Sequence, residues 1–155
     1  LAQVAAMKEK YPSQAIDPAA LADDPSGTVS KILSWSKQKL KAGPVLIYAS
    51  ATPEDVAKTQ ARFGREQAGA MVEHAVAAIA RDLVQSGVHR LVVAGGETSG
   101  AVVSSLGIEA LEIGPQIAPG VPATLSYGTP RVALALKSGN FGGVNFFMEA
   151  LEALK

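Results

Sequence analysis

Apolar residues recur along this chain with two different periods, and the places where the period changes mark its elements. From about Glu66 to Ser86 the residues Ala68, Met71, Val72, Ala75, Val76, Ile79, Ala80 and Leu83 follow one another at alternating three- and one-residue steps. That spacing puts them on one face of a helix, and Gly87 supplies its C-terminal stop. A helical pattern also runs from Leu1 to Tyr11. Pro12 to Pro25 reads as loop, with a short extended stretch at Ala15 to Asp17, and the adjacent carboxylates Asp23 and Asp24 read as a solvated turn. Ser26 or Thr28 then caps a helix reaching about Ala42, with Val29, Ile32, Leu33 and Leu40 inward, and Gly43-Pro44 ends it.

Between the helices the pattern changes to short uncharged runs. Val45 to Ser50 and His89 to Ala94 are of this kind, as expected for strands buried on both faces of a parallel sheet. A turn at Ala51 to Pro53 follows the first. After the second come a tight loop at Gly95 to Gly100, a short helix at Ala101 to Leu106, a third strand at Leu111 to Ile113, and loop from Pro115 to Tyr127. A last strand at Arg131 to Leu136, a glycine-rich turn at Lys137 to Gly143 and a helix at Val144 to Leu154 complete the chain. Phe146, Phe147, Ala150 and Leu151 mark that helix's inner face. Alternation of strand and helix predicts an α/β fold with a mostly parallel sheet flanked by helices and right-handed crossovers. Gly-rich, phosphate-binding turns are expected at the strand ends, outside the carboxyl edge of the sheet.

Composition narrows the function. The 155 residues suit one domain, which at this size buries roughly 70% of the surface its unfolded chain exposes. Basic and acidic residues balance at 14 each, so no net positive field favours nucleic acid as the main partner. Without cysteine there is no disulfide framework, thiolate nucleophile or Cys-ligated zinc, and the cytoplasm is the expected compartment. His74 and His89 have no third ligand at useful spacing, so no metal-ligating residues are assigned. The longest uncharged run, Ile113 to Pro130, is broken by Pro and Gly, and the N-terminus shows no basic region followed by an apolar run, so neither membrane insertion nor export is expected. A start at Leu1 inside a helical pattern suggests a piece of a longer protein.

Three segments have the composition of a ligand site. Gly95-Gly96-Glu97-Thr98-Ser99-Gly100 joins a strand to a helix, where backbone N–H groups and the helix dipole favour anions and glycines admit a phosphate to the main chain. It lacks the ending of a Walker A loop and the full dinucleotide spacing, and it reads equally well as a tight turn capped by Thr98 or Ser99. In Lys137-Ser138-Gly139-Asn140-Phe141-Gly142-Gly143 a lysine leaves a strand as glycines begin; it suits a phosphate, and equally a solvated strand end. Ala118-Pro119-Gly120-Val121-Pro122 is a rigid ordered turn. No nucleophile elbow occurs, and Ser50 at the first strand's end is most simply a cap or turn residue.

Taken in order, Val92 to Val103, Pro119 to Pro122 and Leu136 to Gly142 resemble the C-terminal nucleotide-binding domain of the four-carbon acid sugar kinase family. The resemblance covers essentially the whole chain. Ala2-Gln3-Val4-Ala5-Ala6-Met7 is similar to the helix that in this family follows a Gly-Ser-Cys-Ser type loop, and Leu46 to Pro53 is most similar to the branch acting on 3-oxo-tetronates. The resemblance implies ATP-dependent phosphorylation of a tetronate, with ATP and Mg²⁺ as cofactors and this chain as the ATP-binding part.

The sugar acid would be held by an N-terminal domain of the same protein, and this chain alone would be inactive. The implied nucleotide-binding residues are Gly95, Gly96, Glu97, Thr98, Ser99, Gly100, Lys137 and Gly139. Glu97 would serve the ribose or a metal-bound water, and Lys137 would balance phosphate charge. No residue is assigned as catalytic base, and a homo-oligomer stays open. A non-catalytic phospho-ligand or effector-like protein-binding domain is the alternative, and a sugar-phosphate isomerase would use the same turns differently.

Overall fold

The computed structural model describes residues 2–49, 61, 64–139 and 141–155. In chain order the elements are α1 (Ala2–Lys10), β1 (Ser13–Ala15), α2 (Pro18–Asp23), α3 (Pro25–Lys39), β2 (Leu46–Tyr48), α4 (Arg65–Gln85), β3 (Arg90–Ala94), α5 (Gly96–Ser105), β4 (Leu111–Ala118), β5 (Val121–Ser126), β6 (Ala133–Lys137) and α6 (Phe146–Ala153). Ser50, the expected turn at Ala51 to Pro53, and Asn140 lie outside the described residues.

The long amphipathic pattern forms α4, and its apolar stripe is wide enough to serve two cores. Ala75, Ile79 and Leu83 pack with Ile16, Leu21 and Ile32 from the N-terminal elements. Ala80 and Val84 pack with Val93, Val102, Leu106, Val132 and Leu134. A third cluster lies on the opposite face of the sheet, where Phe146, Phe147 and Ala150 of α6 meet Met7 of α1, Val121 and Ala135. Strand alternation explains the division. In β6, Leu134 faces the α4 and α5 side, whereas Ala135, one residue on, faces α1 and α6.

The sheet is mixed, which corrects the expected mostly parallel one. Its order is β3-β6-β5-β4, with β3 and β6 parallel and β6-β5 and β5-β4 antiparallel. The expected loop after Ile113 is the cause. Residues 111–126 form a hairpin turning at Pro119-Gly120, where Gly120 has a φ of +77°. A hairpin necessarily places its strands antiparallel. Pro115 sits where the β4–β5 register shifts between Ile113 and Gln116, and β4 is an edge strand, so the missing N–H is tolerated. The expected first strand is also corrected: β2 is half-buried and pairs with β1 in a separate two-stranded parallel sheet.

The segment expected as loop before α3 contains a helix. Asp17 caps α2 by accepting from the Ala19 N–H at 2.9 Å, and Asp24 caps α3 by accepting from the Gly27 N–H at 2.9 Å. In both cases proline takes the first helical position, where a missing N–H costs nothing. Asp24, not Ser26 or Thr28, is thus the cap.

Candidate functional site

β3 and β6 are adjacent and parallel, with Ala94 opposite Lys137, so the two glycine segments leave the same edge of the sheet side by side. The Gly95 N–H donates to the Lys137 carbonyl at 2.8 Å and ties them together. Gly95 alone separates β3 from α5 and has a φ of +119°. The expected loop Gly95 to Gly100 is therefore one residue long. Gly96, Glu97, Thr98, Ser99 and Gly100 already belong to the first turns of the helix.

The fold leaves that helix start open. Among the described residues no side chain caps α5, and the N–H groups of Gly96, Glu97 and Thr98 find no acceptor there. The alternative of a turn capped by Thr98 or Ser99 is not realised. Ser99 is buried, and its Oγ likewise has no hydrogen-bond partner among the described residues. Glu97 is exposed, and together with Ala94 and Thr98 it lines the end of an apolar cleft of about 720 Å³ between β2, β3, α4 and α6. A Cβ added at Gly96, Gly100 or Gly139 would meet nothing within 4 Å. Neither crowding nor a positive φ requires glycine at those three positions, in contrast to Gly95.

Lys137 is not a solvated strand end. Its position in the alternation of β6 turns it toward α6, and it is only 3% exposed. The Nζ donates to the Gly139 carbonyl at 2.9 Å and lies 5.5 Å from the centre of the Phe146 ring. No carboxylate pairs with it among the described residues. Burial disfavours the charged form and pushes its pKa below the usual 10.5.

The proline segment joins the same assembly. A Cβ on Gly120 would lie 2.7 Å from the ring of Phe141, so the hairpin turn and the second glycine turn are in direct contact. A contact with no sequence-based assignment is that of Gln3. Its Nε2 donates toward the carbonyls of Phe141, Gly142 and Gly143 at 3.0, 3.0 and 2.9 Å. The available signal was its spacing, since Gln3 precedes the buried Met7 by four residues and shares its helical face.

Among the described residues no group of three His, Asp or Glu side chains could hold a metal ion, and His74 and His89 are exposed. No described helix is long and apolar enough to cross a membrane.

The architecture is that of an α/β domain whose glycine segments meet at the carboxyl ends of adjacent parallel strands. The chain belongs to the family of nucleotide-binding C-terminal domains, whose family model matches residues 1–147. It is 54% identical over 154 residues to the 3-oxo-tetronate kinase of Pseudomonas fluorescens, covering 99% of this chain and 35% of the relative. It is 53% identical over 153 residues to the 3-oxo-tetronate kinase of Burkholderia multivorans, with coverages of 99% and 35%. A crystal structure of a Haemophilus influenzae protein superposes with a TM-score of 0.90 at 35% identity, covering 99% of this chain and 37% of that one. The chain thus spans about a third of the length of the proteins it matches.

Proposed function

We propose that this chain is the nucleotide-binding part of an ATP-dependent kinase that phosphorylates a four-carbon acid sugar of the 3-oxo-tetronate class. The observation that carries the reading is the juxtaposition, at the ends of two neighbouring parallel strands, of a helix start and a buried lysine that have neither a side-chain cap nor a carboxylate partner among the described residues. Unpaired N–H donors and a cation together are complementary to phosphate oxygens. The relatives named 3-oxo-tetronate kinase supply the substrate class.

Phosphoryl transfer depends mainly on positioning and on neutralising charge. In this reading the N–H groups of Gly96, Glu97 and Thr98 hold phosphate oxygens, with the Thr98 and Ser99 hydroxyls as further donors. Gly96, Gly100 and Gly139 keep the main chain bare where the nucleotide approaches. Lys137 turns from the Gly139 carbonyl to a phosphate, and Glu97 holds the ribose or a metal-bound water. Mg²⁺ bound with the nucleotide would offset phosphate charge, with Glu97 the residue placed to hold a water of its shell. The sugar acid belongs to a separate N-terminal domain of the same protein, no residue of this chain is assigned as the catalytic base, and this part alone does not turn over.

Calorimetric titration of the full-length protein with Mg-ATP, Mg-ADP and inorganic phosphate tests the reading, together with turnover of 3-oxo-tetronates. Tight adenine-nucleotide binding that is lost in Gly96→Val supports it. Phosphate binding with no preference for the adenine nucleotide, or nucleotide binding indifferent to Gly96→Val, removes it.

A further inference from the structure

The second glycine turn is held from both flanks, and the two clamps differ in kind. On one side Lys137 Nζ donates to the Gly139 carbonyl, a contact within the turn's own strand end. On the other, the Gln3 amide reaches across from α1, 138 to 140 residues away in sequence, to three successive carbonyls. A primary amide nitrogen carries two hydrogens, so three acceptors around it share them in a partly bifurcated arrangement. Successive carbonyls of an extended chain point to alternating sides. Here residues 141–143 instead curl around the Gln3 nitrogen. Gly142, with a φ of +80°, permits that curl, and the absence of a side chain at Gly142 and Gly143 leaves it poorly determined by the backbone alone.

The consequence lies on the far side of the same peptide units. Within a trans peptide the C=O and the following N–H point in opposite directions. Gathering the carbonyls of residues 141, 142 and 143 toward α1 therefore turns the N–H groups of Gly142, Gly143 and Val144 away from it. None of these three N–H groups has an acceptor among the described residues. The turn carrying them is joined through Lys137 to the start of α5.

We infer that Gln3 is a positioning residue for the nucleotide phosphates. It fixes the turn so that the N–H groups of Gly142, Gly143 and Val144 form a second set of donors, facing phosphate oxygens alongside those of α5. This inference rests on the proposed nucleotide site and extends it to residues to which neither the glycine pattern nor the lysine pointed. Gln3 touches no substrate; it acts through the main chain of the turn.

The test uses the full-length protein with Gln3→Glu, which keeps the length of the side chain but removes the donor, and Gln3→Met, which keeps its bulk without polarity. Both are expected to raise the KM for Mg-ATP by about tenfold or more, the loss associated with a misaligned set of charge-assisted hydrogen bonds. The kcat at saturating ATP and the KM for the sugar acid should change less than about twofold, the pattern of lost ground-state binding. Amide hydrogen exchange at residues 142–144 should slow on adding Mg-ADP to the wild type and stay fast in both variants.

A lowered melting temperature with unchanged KM for Mg-ATP and wild-type protection at 142–144 would reduce Gln3 to a fold contact and overturn the inference. Gly96→Val, assayed in parallel, separates the two levels. Loss of nucleotide binding there with no effect at Gln3 sinks the positioning role alone, whereas indifference at both positions sinks the nucleotide site and the positioning role with it.

Discussion

The amide of Gly95 donates to the carbonyl of Lys137 at 2.8 Å, and this single bond sets the geometry of the site. It continues the parallel β3–β6 ladder one residue past the last strand pair, so the first residue of one glycine segment is registered against the lysine of the other. Gly95 can make the bond and still open a helix at the next residue only because its φ of +119° turns the chain sharply. Lys137, held by its carbonyl, sends its side chain to the α6 face. One backbone contact thereby places a helix start and a buried ammonium group together.

The glycines of the two segments should divide into two classes under substitution. Gly95→Ala puts a Cβ at a positive φ and 3.1 Å from Thr98 Oγ1, and should cost about 1 to 3 kcal/mol of stability. Gly96→Ala and Gly139→Ala meet no neighbour within 4 Å and should leave the melting temperature within about 2 °C of wild type, as surface substitutions do. Nucleotide affinity should nevertheless fall in both, and further with valine. Thermal melts beside calorimetric titrations check the division; equal stability losses at all three positions would contradict it.

Lys137→Met keeps most of the aliphatic stem against Phe146 while removing a charge that has no carboxylate partner among the described residues. Removing such a charge does not leave a stranded counter-ion, so folding stability at neutral pH should be unchanged or higher. Nucleotide affinity should drop at least about tenfold, or about 1.4 kcal/mol. The wild type should show a matching pH signature. Because burial lowers the folded-state pKa, the unfolded chain binds more protons between that lowered value and 10.5. Stability from this group therefore rises with pH across that window. Denaturant titrations at a series of alkaline pH values should show this rise in the wild type and its loss in Lys137→Met.

What was legible in the sequence followed from strong local signals. The α4 face, the strand at β3 and the inward face of α6 rest on periodicity that tertiary packing reinforced. The expected site segments also emerged at one edge, because strand-to-helix turns of parallel neighbours must do so. The hairpin at 111–126 was hidden by three prolines, which mark loop by default and are tolerated here by an edge strand and an irregular register. The curl of residues 141–143 was hidden for a different reason: its partner is Gln3, at the other end of the chain, and no local pattern encodes a contact of that separation.

The two Asp-Pro pairs give a prediction about the N-terminal part. Asp24→Ala removes the acceptor for the Gly27 N–H and should cost about 1 kcal/mol, whereas Ser26→Ala should be close to neutral. Gly27→Ala should behave like the cap deletion, because its new methyl group would occupy the space of the Asp24 carboxylate. Chemical denaturation of the three variants distinguishes an aspartate cap from a serine one, the latter requiring the opposite order of Asp24 and Ser26.

Phe146 links the core to the site, and its substitution should separate the two contributions. The ring is fully buried, lies beneath Lys137 Nζ, and fills the space that a Cβ on Gly142 would need. Phe146→Ala should cost about 3 to 5 kcal/mol, the range for deleting a buried aromatic ring. Phe146→Leu keeps most of the apolar volume and should cost less, but it removes the aromatic face under the ammonium group. If that face helps hold Lys137, Phe146→Leu should lower nucleotide affinity by more than its stability loss would produce in a protein that stays folded. Gly142→Ala, driven against the same ring at a φ of +80°, should destabilise the fold and weaken nucleotide binding together, because the turn cannot move away from Phe146 without releasing Gln3. Melting curves and nucleotide titrations on the three variants check this order. A Gly142→Ala protein with wild-type binding would mean that the turn's exact curl is irrelevant to the ligand.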